Sequence, residues 1–212
     1  MDKKRDNKWF WNRYAMLYDF EINRFSGRAY KEIYQMMASV LTSDMNVLEV
    51  ATGTGLIAVN IAAHVRHVEA TDFAPKMIAK AKKKKAPGNI RFSVEDATAL
   101  SFENNSFDAV IISNALHIMP DPEKALSEIS RVLKPNGLLI APSYSHGHIK
   151  KSTWNLNAKV LKLIGLETYS KWSPDEYIAF IEQNGFRVGK SKVLSAAFPL
   201  VYLEARKRAR NE

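Results

Sequence analysis

Four short stretches of this chain place chemically capable side chains where an apolar run ends. The first is Val47-Leu48-Glu49-Val50-Ala51-Thr52-Gly53-Thr54-Gly55, an apolar strand closed by a glycine turn, with Leu56 to Val65 following as an apolar helix. Gly53 and Gly55 have no Cβ, so the backbone can bend sharply there and let a ligand approach. The unpaired N–H groups at the start of the next helix favour electron-rich ligand atoms at the same spot. Asp72 ends the second run, Asp96 follows the third, and Ser113-Asn114 follow the fourth. A carboxylate such as Asp72 can accept both hydroxyls of a ribose, because it carries two acceptor oxygens. Asp96 with the backbone of Ala97 suits an adenine amino group and ring nitrogen, and Phe73 and Met77 suit the flat faces of the base.

The glycine turn alone leaves the ligand open. Gly53-Thr54-Gly55-Leu56-Ile57-Ala58 fits G-x-G-x-x-A, the dinucleotide fingerprint, and Asp72 lies nineteen residues past Gly53. Three histidines follow later runs: His117 after the fourth, and His146 and His148 after the fifth. Of these His117 is the best candidate for a base, while His146 and His148 are placed to face an acceptor.

These residues need a scaffold, and the pattern supplies one. From residue 46 strand and helix alternate, which predicts a parallel sheet covered on both faces. Strands are expected at 46–50, 68–71, 90–94, 107–113 and 138–141, with helices starting near Leu56, Pro75 and Asp121. Ser173-Pro174-Asp175-Glu176 reads as a helix cap with proline in the first turn. Runs 187–194 and 200–205 follow with no helix between them, so they form a hairpin and the last strand is antiparallel. Residues 8 to 40 read as helical, with a break expected at Arg24-Phe25-Ser26-Gly27.

Composition narrows the class. At 212 residues and 46% hydrophobic, the chain suits one domain with a full core. No cysteine is present, which excludes disulfides, thiolate metal sites and cysteine nucleophiles and fits an intracellular protein. The start of the chain leads into no long apolar run, so neither a signal peptide nor a membrane span is expected. A net charge of +9 is gathered in Lys3–Arg5, Lys80 with Lys82–Lys85, and Arg206–Arg210. Such clusters are solvated helix ends, or they attract an anionic membrane surface, an anionic substrate or nucleic acid.

The stretches VLEVATGTG, VEATDFA, VEDATAL, FDAVIISNALHIMPD and VLKPNGLLI together resemble the consecutive motifs of class I S-adenosylmethionine-dependent methyltransferases. The nearest branch holds the ubiquinone/menaquinone C-methylases and small-molecule or phospholipid methylases. The resemblance covers roughly residues 44 to 142. It implies an α/β, Rossmann-like, doubly wound sheet of seven strands, mostly parallel with an antiparallel C-terminal hairpin strand, plus a small helical lid. It also implies S-adenosylmethionine as cofactor and S-adenosylhomocysteine as product. Glu49 and the turn Ala51, Thr52, Gly53 to Gly55 would then hold the methionine end and Asp72 the ribose. Phe73 and Met77 would lie beside the adenine, Asp96 and Ala97 at its edge, and Asn114 and Leu116 on the sulfonium side. One departure is Ala51, where many members have glycine.

Methyl transfer from a sulfonium is an in-line displacement, so alignment and exclusion of water supply most of the acceleration. An obligatory metal is not expected, since there is no cysteine and no histidine pair at i, i+4. All four tryptophans, Trp9, Trp11, Trp154 and Trp172, lie outside the sheet. Residues 1–40 and the insert 143–172 are therefore expected to form a lid on a methyltransferase domain spanning 41–212, suited to an apolar or lipid-like acceptor. Tyr14, Tyr18, His117, His146, His148 and Trp172 are the expected acceptor contacts, with Tyr18, His117 and His146 as catalytic candidates. Two other readings remain: a nucleic-acid methyltransferase, and a cofactor-binding regulator without turnover. The expected location is cytoplasmic, with peripheral membrane contact as an option, and the oligomeric state is left open.

Overall fold

Successive residues of the central strands point to opposite faces, and both faces are apolar. Val47, Ala109 and Ile111 join one buried cluster with Ile33, Met37, Ile57 and Ile61. Leu48, Val50, Val110 and Ile112 join another with Leu126, Ile129, Phe180 and Ile181. A sheet so built must be sandwiched between helices. The computed structural model describes residues 7–145, 166–195 and 199–208 and has that architecture.

Helices α1 (Lys8–Tyr14) and α2 (Tyr18–Ala38) precede β1 (Asn46–Val50), α3 (Leu56–Ile61), β2 (His67–Asp72), α4 (Pro75–Ala81) and β3 (Ile90–Val94). Then come β4 (Phe107–Ile112), α5 (Pro122–Val132), β5 (Leu133–Ile140), β6 (Ser143–Tyr144), α6 (Pro174–Gln183), β7 (Phe186–Leu194) and β8 (Leu200–Lys207). The sheet order is β3-β2-β1-β4-β5-β8-β6, with β7 on β8. Strands β1 to β5 pair in parallel, whereas β8 runs antiparallel to β5, β6 and β7. The seven expected strands are all present; the eighth is the two-residue β6. The chain switches direction of winding at β1, which has β2 on one side and β4 on the other. A crevice opens beyond such a switch point.

Local signals place several helix starts. Ser173 and Glu176 form a full capping box at α6, and Asp121 accepts the Lys124 N–H at α5. Pro75, Pro122 and Pro174 each occupy the first turn, where the missing N–H costs nothing. Elsewhere the structure corrects the sequence reading. The helical break lies at Ala15–Leu17, and α2 runs unbroken through Arg24–Gly27. Ser26 is buried there, and its hydroxyl meets the Tyr144 hydroxyl at 3.0 Å instead of competing with the helix backbone. Helix α3 is shorter than expected and finishes as a 3-10 turn, Ala62–His64. Strand β5 starts at Leu133, five residues early, because Lys134–Gly137 form a bulge against β4. His146, His148 and Trp154 lie outside the described residues, as do Lys3–Arg5 and Arg210.

Candidate active site

The turn after β1 is built by long-range bonds. Thr52 N donates to Thr71 O at 2.8 Å and Gly53 N to Asp72 Oδ2 at 2.9 Å, so β2 holds the turn open. Ala51, Gly53 and Gly55 all have left-handed backbones, with φ of 54°, 57° and 77°. An alanine in that region costs roughly 1–2 kcal/mol, which explains why glycine is usual at the position of Ala51. The two glycines differ in purpose. Gly53 lines the cavity described below, and a Cβ on it would make ordinary contact with the Tyr18 ring at 3.6 Å. Gly55 does not line it; a Cβ there would collide with the Phe92 ring at 2.8 Å, so its smallness lets α3 pack on β3.

Asp72 is buried, lines the cavity, and accepts one backbone N–H on each oxygen, from Gly53 at 2.9 Å and Ala74 at 2.8 Å. Burial pushes its carboxyl up to about 6 against the pull of those bonds. One lone pair per oxygen remains for a ligand, the number a pair of neighbouring hydroxyls requires. Phe73 and Met77 line the wall beside it, and Asp96, Ala97 and Thr98 close the next corner. Asp96 Oδ1 accepts both the backbone N–H and the hydroxyl of Thr98 at 2.8 Å, which fixes the carboxylate in place. Ser113, Asn114 and Ala115 at the end of β4 complete the floor of a cavity of about 260 Å³. A buried carboxylate and an apolar slot after β2, with a fixed acid after β3, fit an adenosyl group.

Glu49 takes a different place from the one expected. It is buried, is absent from the cavity lining, and accepts the Thr52 hydroxyl at 2.6 Å. Burial pushes it up to about 8, opposed by hydrogen bonds from Thr52 and the Ala58 backbone. Glycine at the N-cap of α3 has no side chain to offer, so Glu49 takes the Ala58 N–H instead. Thr52 and Leu116 are likewise outside the lining.

The N-terminal helices cover the cavity. Asn7, Trp11 and Tyr18 line it. Asn12 Oδ1 caps α4 through Lys76 N at 3.0 Å, and Lys80 Nζ reaches Met16 O at 2.8 Å. Lys84 bonds Asp19 at 3.0 Å and the Thr54 carbonyl at 2.7 Å, while the Thr54 hydroxyl donates to Asp19. Part of the basic clusters therefore anchors the fold: Arg206 and Lys207 also bond backbone carbonyls, of Asn136 and Leu133.

Asn114 has φ 53°, and both polar atoms of its side chain bond within the protein. Its Nδ2 donates to Tyr30 Oη at 2.9 Å and its Oδ1 accepts Tyr144 N at 3.0 Å. Tyr18 and Tyr30 share a hydrogen bond, and burial raises both phenols well above their ordinary value. Tyr18 thus joins a neutral hydroxyl network at the cavity floor. Sequence reasoning missed Tyr30, although 30, 33, 34 and 37 recur at helical spacing and mark the buried face of α2. It also missed Asn7, for which no local signal exists.

Other expected contacts are packed elsewhere. His117 bonds the Ser143 hydroxyl through Nδ1 at 3.2 Å, its carbonyl accepts Tyr169 and Ser170 N–H groups at 3.0 Å, and it is not in the lining. Tyr14 stacks on Phe10 at 5.1 Å, and Trp172 stacks on Phe180 at 4.3 Å; neither lines the cavity. Among the described residues no cluster of three or more His, Asp or Glu is arranged to hold a metal ion. No described helix is long and apolar enough to cross a membrane.

Several known proteins are similar to this chain. The family model described as "Methyltransferase domain" matches residues 48–141. The chain is 46% identical over 100 residues to the demethylmenaquinone methyltransferase of Renibacterium salmoninarum, covering 47% of this chain and 41% of that protein. It is 31% identical over 186 residues to the ubiquinone/menaquinone biosynthesis C-methyltransferase UbiE of Rickettsia bellii, covering 74% of each. Against the first such relatives the match spans only 41% to 53% of their length. Among solved structures, a Haloferax volcanii protein in complex with the Trm112 methyltransferase activator superposes with a TM-score of 0.83 at 17% identity, covering 98% of this chain and 100% of that one.

Proposed function

The chain belongs to the class I S-adenosylmethionine-dependent methyltransferases, in the branch of the ubiquinone/menaquinone C-methylases, and on that footing we propose that it methylates a small, lipid-like acceptor of the quinol type. The observation that carries the cofactor half of this reading is Asp72, which holds the glycine turn through Gly53 N while keeping lone pairs for a ligand at the cavity wall. The names of the relatives support the acceptor class.

When bound, S-adenosylmethionine supplies a methyl group on a sulfonium with a good leaving group. Asp72 accepts the ribose hydroxyls, and Phe73 and Met77 flank the base, with Asp96 and Ala97 at its edge. The Asn114 backbone and Gly53 border the reacting end. Asn7, Trp11 and Tyr18 close the N-terminal lid over it and keep water out. Tyr18, neutral and hydrogen-bonded to Tyr30, orients an acceptor oxygen rather than removing its proton. His117 acts from outside the cavity by positioning Ser143 and the segment at Tyr169.

An acceptor screen following S-adenosylhomocysteine release tests the proposal, with quinol precursors, phospholipids, small amines and thiols side by side. Turnover with a quinol precursor supports it. Calorimetric binding of NAD, with no response to either methionine derivative, overturns it.

A further inference from the structure

The N-terminal helices have two unlike faces. Trp11 and Tyr18 turn inward to the cavity. Of the six large apolar side chains that are exposed among the described residues, four lie on the other side of this one stretch: Trp9 (61%), Met16 (77%), Leu17 (56%) and Phe20 (68%). Trp9 and Arg13 lie four apart on α1, Leu17, Phe20 and Arg24 recur at three and four at the start of α2, and Met16 lies in the turn between; these exposed residues make up one stripe of sequence.

The charges described on that stripe are basic. Among the residues from 8 to 28 whose side chains are described, the exposed charges are Lys8, Arg13, Arg24 and Arg28. Arg13 sits over the Trp9 ring at 4.9 Å, and Lys80 borders Met16 through its 2.8 Å bond to the Met16 carbonyl. Asp19, beside Phe20, is already held by Lys84 and Thr54. A stripe of apolar anchors interleaved with arginine and lysine matches a surface that is apolar beneath and anionic above. A second copy of the chain fits it less well, because a two-fold contact would set Arg13 and Arg24 against their own counterparts.

We propose that this stripe seats the protein on an anionic lipid bilayer, with Trp9, Met16, Leu17 and Phe20 entering the headgroup–acyl boundary and the flanking cations meeting lipid phosphates. The lid would then touch the cavity with one face and the bilayer with the other, so a lipid-soluble acceptor reaches the site without crossing water. Only that last consequence rests on the acceptor reading above; the seat itself does not.

The test is co-sedimentation with phosphatidylglycerol and phosphatidylcholine vesicles at low and high salt, for the wild type and for a Leu17→Asp/Phe20→Asp variant. Both side chains are exposed and outside the cavity lining, so the variant should fold and bind S-adenosylhomocysteine like the wild type by calorimetry. The wild type is expected to sediment with the anionic vesicles, to release as salt rises, and to lose about tenfold or more of this affinity in the variant. Absence of wild-type sedimentation at low salt, or equal sedimentation of wild type and variant, overturns the proposal. So does a concentration-dependent dimer that the variant abolishes without any vesicle binding, which would make the stripe a self-association face. Vesicle binding in a protein that ignores both methionine derivatives would keep the seat and remove the methyltransferase reading.

Discussion

Asn7 and Glu167, 160 residues apart, exchange two hydrogen bonds of 2.9 Å: Asn7 Nδ2 donates to the Glu167 carbonyl, and Glu167 N donates to Asn7 Oδ1. Asn7 Nδ2 also donates to the Ile118 carbonyl at 2.9 Å. One amide thus joins the start of the N-terminal helices, the segment after β4 and the segment before α6. Asn7 is 4% exposed, so these bonds are made away from bulk water and losing them leaves buried groups unsatisfied.

Asn7→Ala is therefore expected to loosen the cover and spare the sheet. Amide exchange should speed up in residues 8–17 and 166–172, matching a local loss of about 1–3 kcal/mol, while β1 and β4 stay protected. Removal of residues 1–17 deletes no strand, and should abolish turnover with the circular dichroism of the sheet retained. Full activity in the truncated protein would reduce these helices to packing.

Asp72→Ala removes the acceptor of two backbone N–H groups, those of Gly53 and Ala74, and the proposed ribose partner together. Affinity for S-adenosylhomocysteine should fall by about 1–3 kcal/mol in calorimetry. Asp72→Asn keeps one oxygen and should lose less. Unchanged affinity in both variants would move the ribose away from Asp72.

Glu49 makes stability fall with rising pH. Its carboxyl is pushed from 4.5 up to about 8, so between those values the folded chain holds a proton that the unfolded chain has released. The slope of unfolding free energy is then negative: the contribution is complete below pH 4.5 and is lost as pH rises through about 8. Asp72 acts in the same direction, from 3.8 to about 6. In urea titrations of the ligand-free protein, Glu49→Gln should gain stability relative to wild type as pH rises from 5 to 9, by a few kcal/mol on the order given by the shift. A constant difference across that range would remove Glu49 from this role.

Asn114 combines a left-handed backbone with two half-buried side-chain bonds. Asn114→Ala should cost about 2–4 kcal/mol, from the lost partners and the strained φ. Asn114→Gly relieves the backbone alone and should recover only part of it. Chemical denaturation of the two variants separates the contributions.

His117 sits outside the cavity lining and bonds Ser143, so it is expected to behave as an anchor. His117→Asn, which can still bond that hydroxyl, should keep most turnover and leave the pH–rate profile unchanged. Loss of a limb near histidine's ordinary value of about 6.5 would restore it as a base.

The sequence by itself determined the parts that depend on neighbours in the chain. The strands from β1 to β5 show as apolar runs, α4, α5 and α6 carry prolines in their first turns, and the acids at the ends of β2 and β3 are counted off from the glycine turn. Only the tertiary structure decided which of those groups meet the cavity. Glu49 and Asp72 both stand at strand ends, yet Glu49 turns toward the bare N-terminus of α3 because Gly55 cannot cap it, and Asp72 stays at the wall. Gly55 resembles Gly53 in sequence, but the ring of Phe92 on another strand makes it a packing residue. Helix α2 runs through Gly27, which costs a helix roughly 1 kcal/mol, where Ser26 is buried against the Tyr144 hydroxyl, a partner 118 residues away. The Asn7–Glu167 pair and the Tyr18–Tyr30–Asn114 network join residues far apart in the chain. Such bonds leave no periodicity to read, because their partners become neighbours only once the sheet and its covering helices have packed.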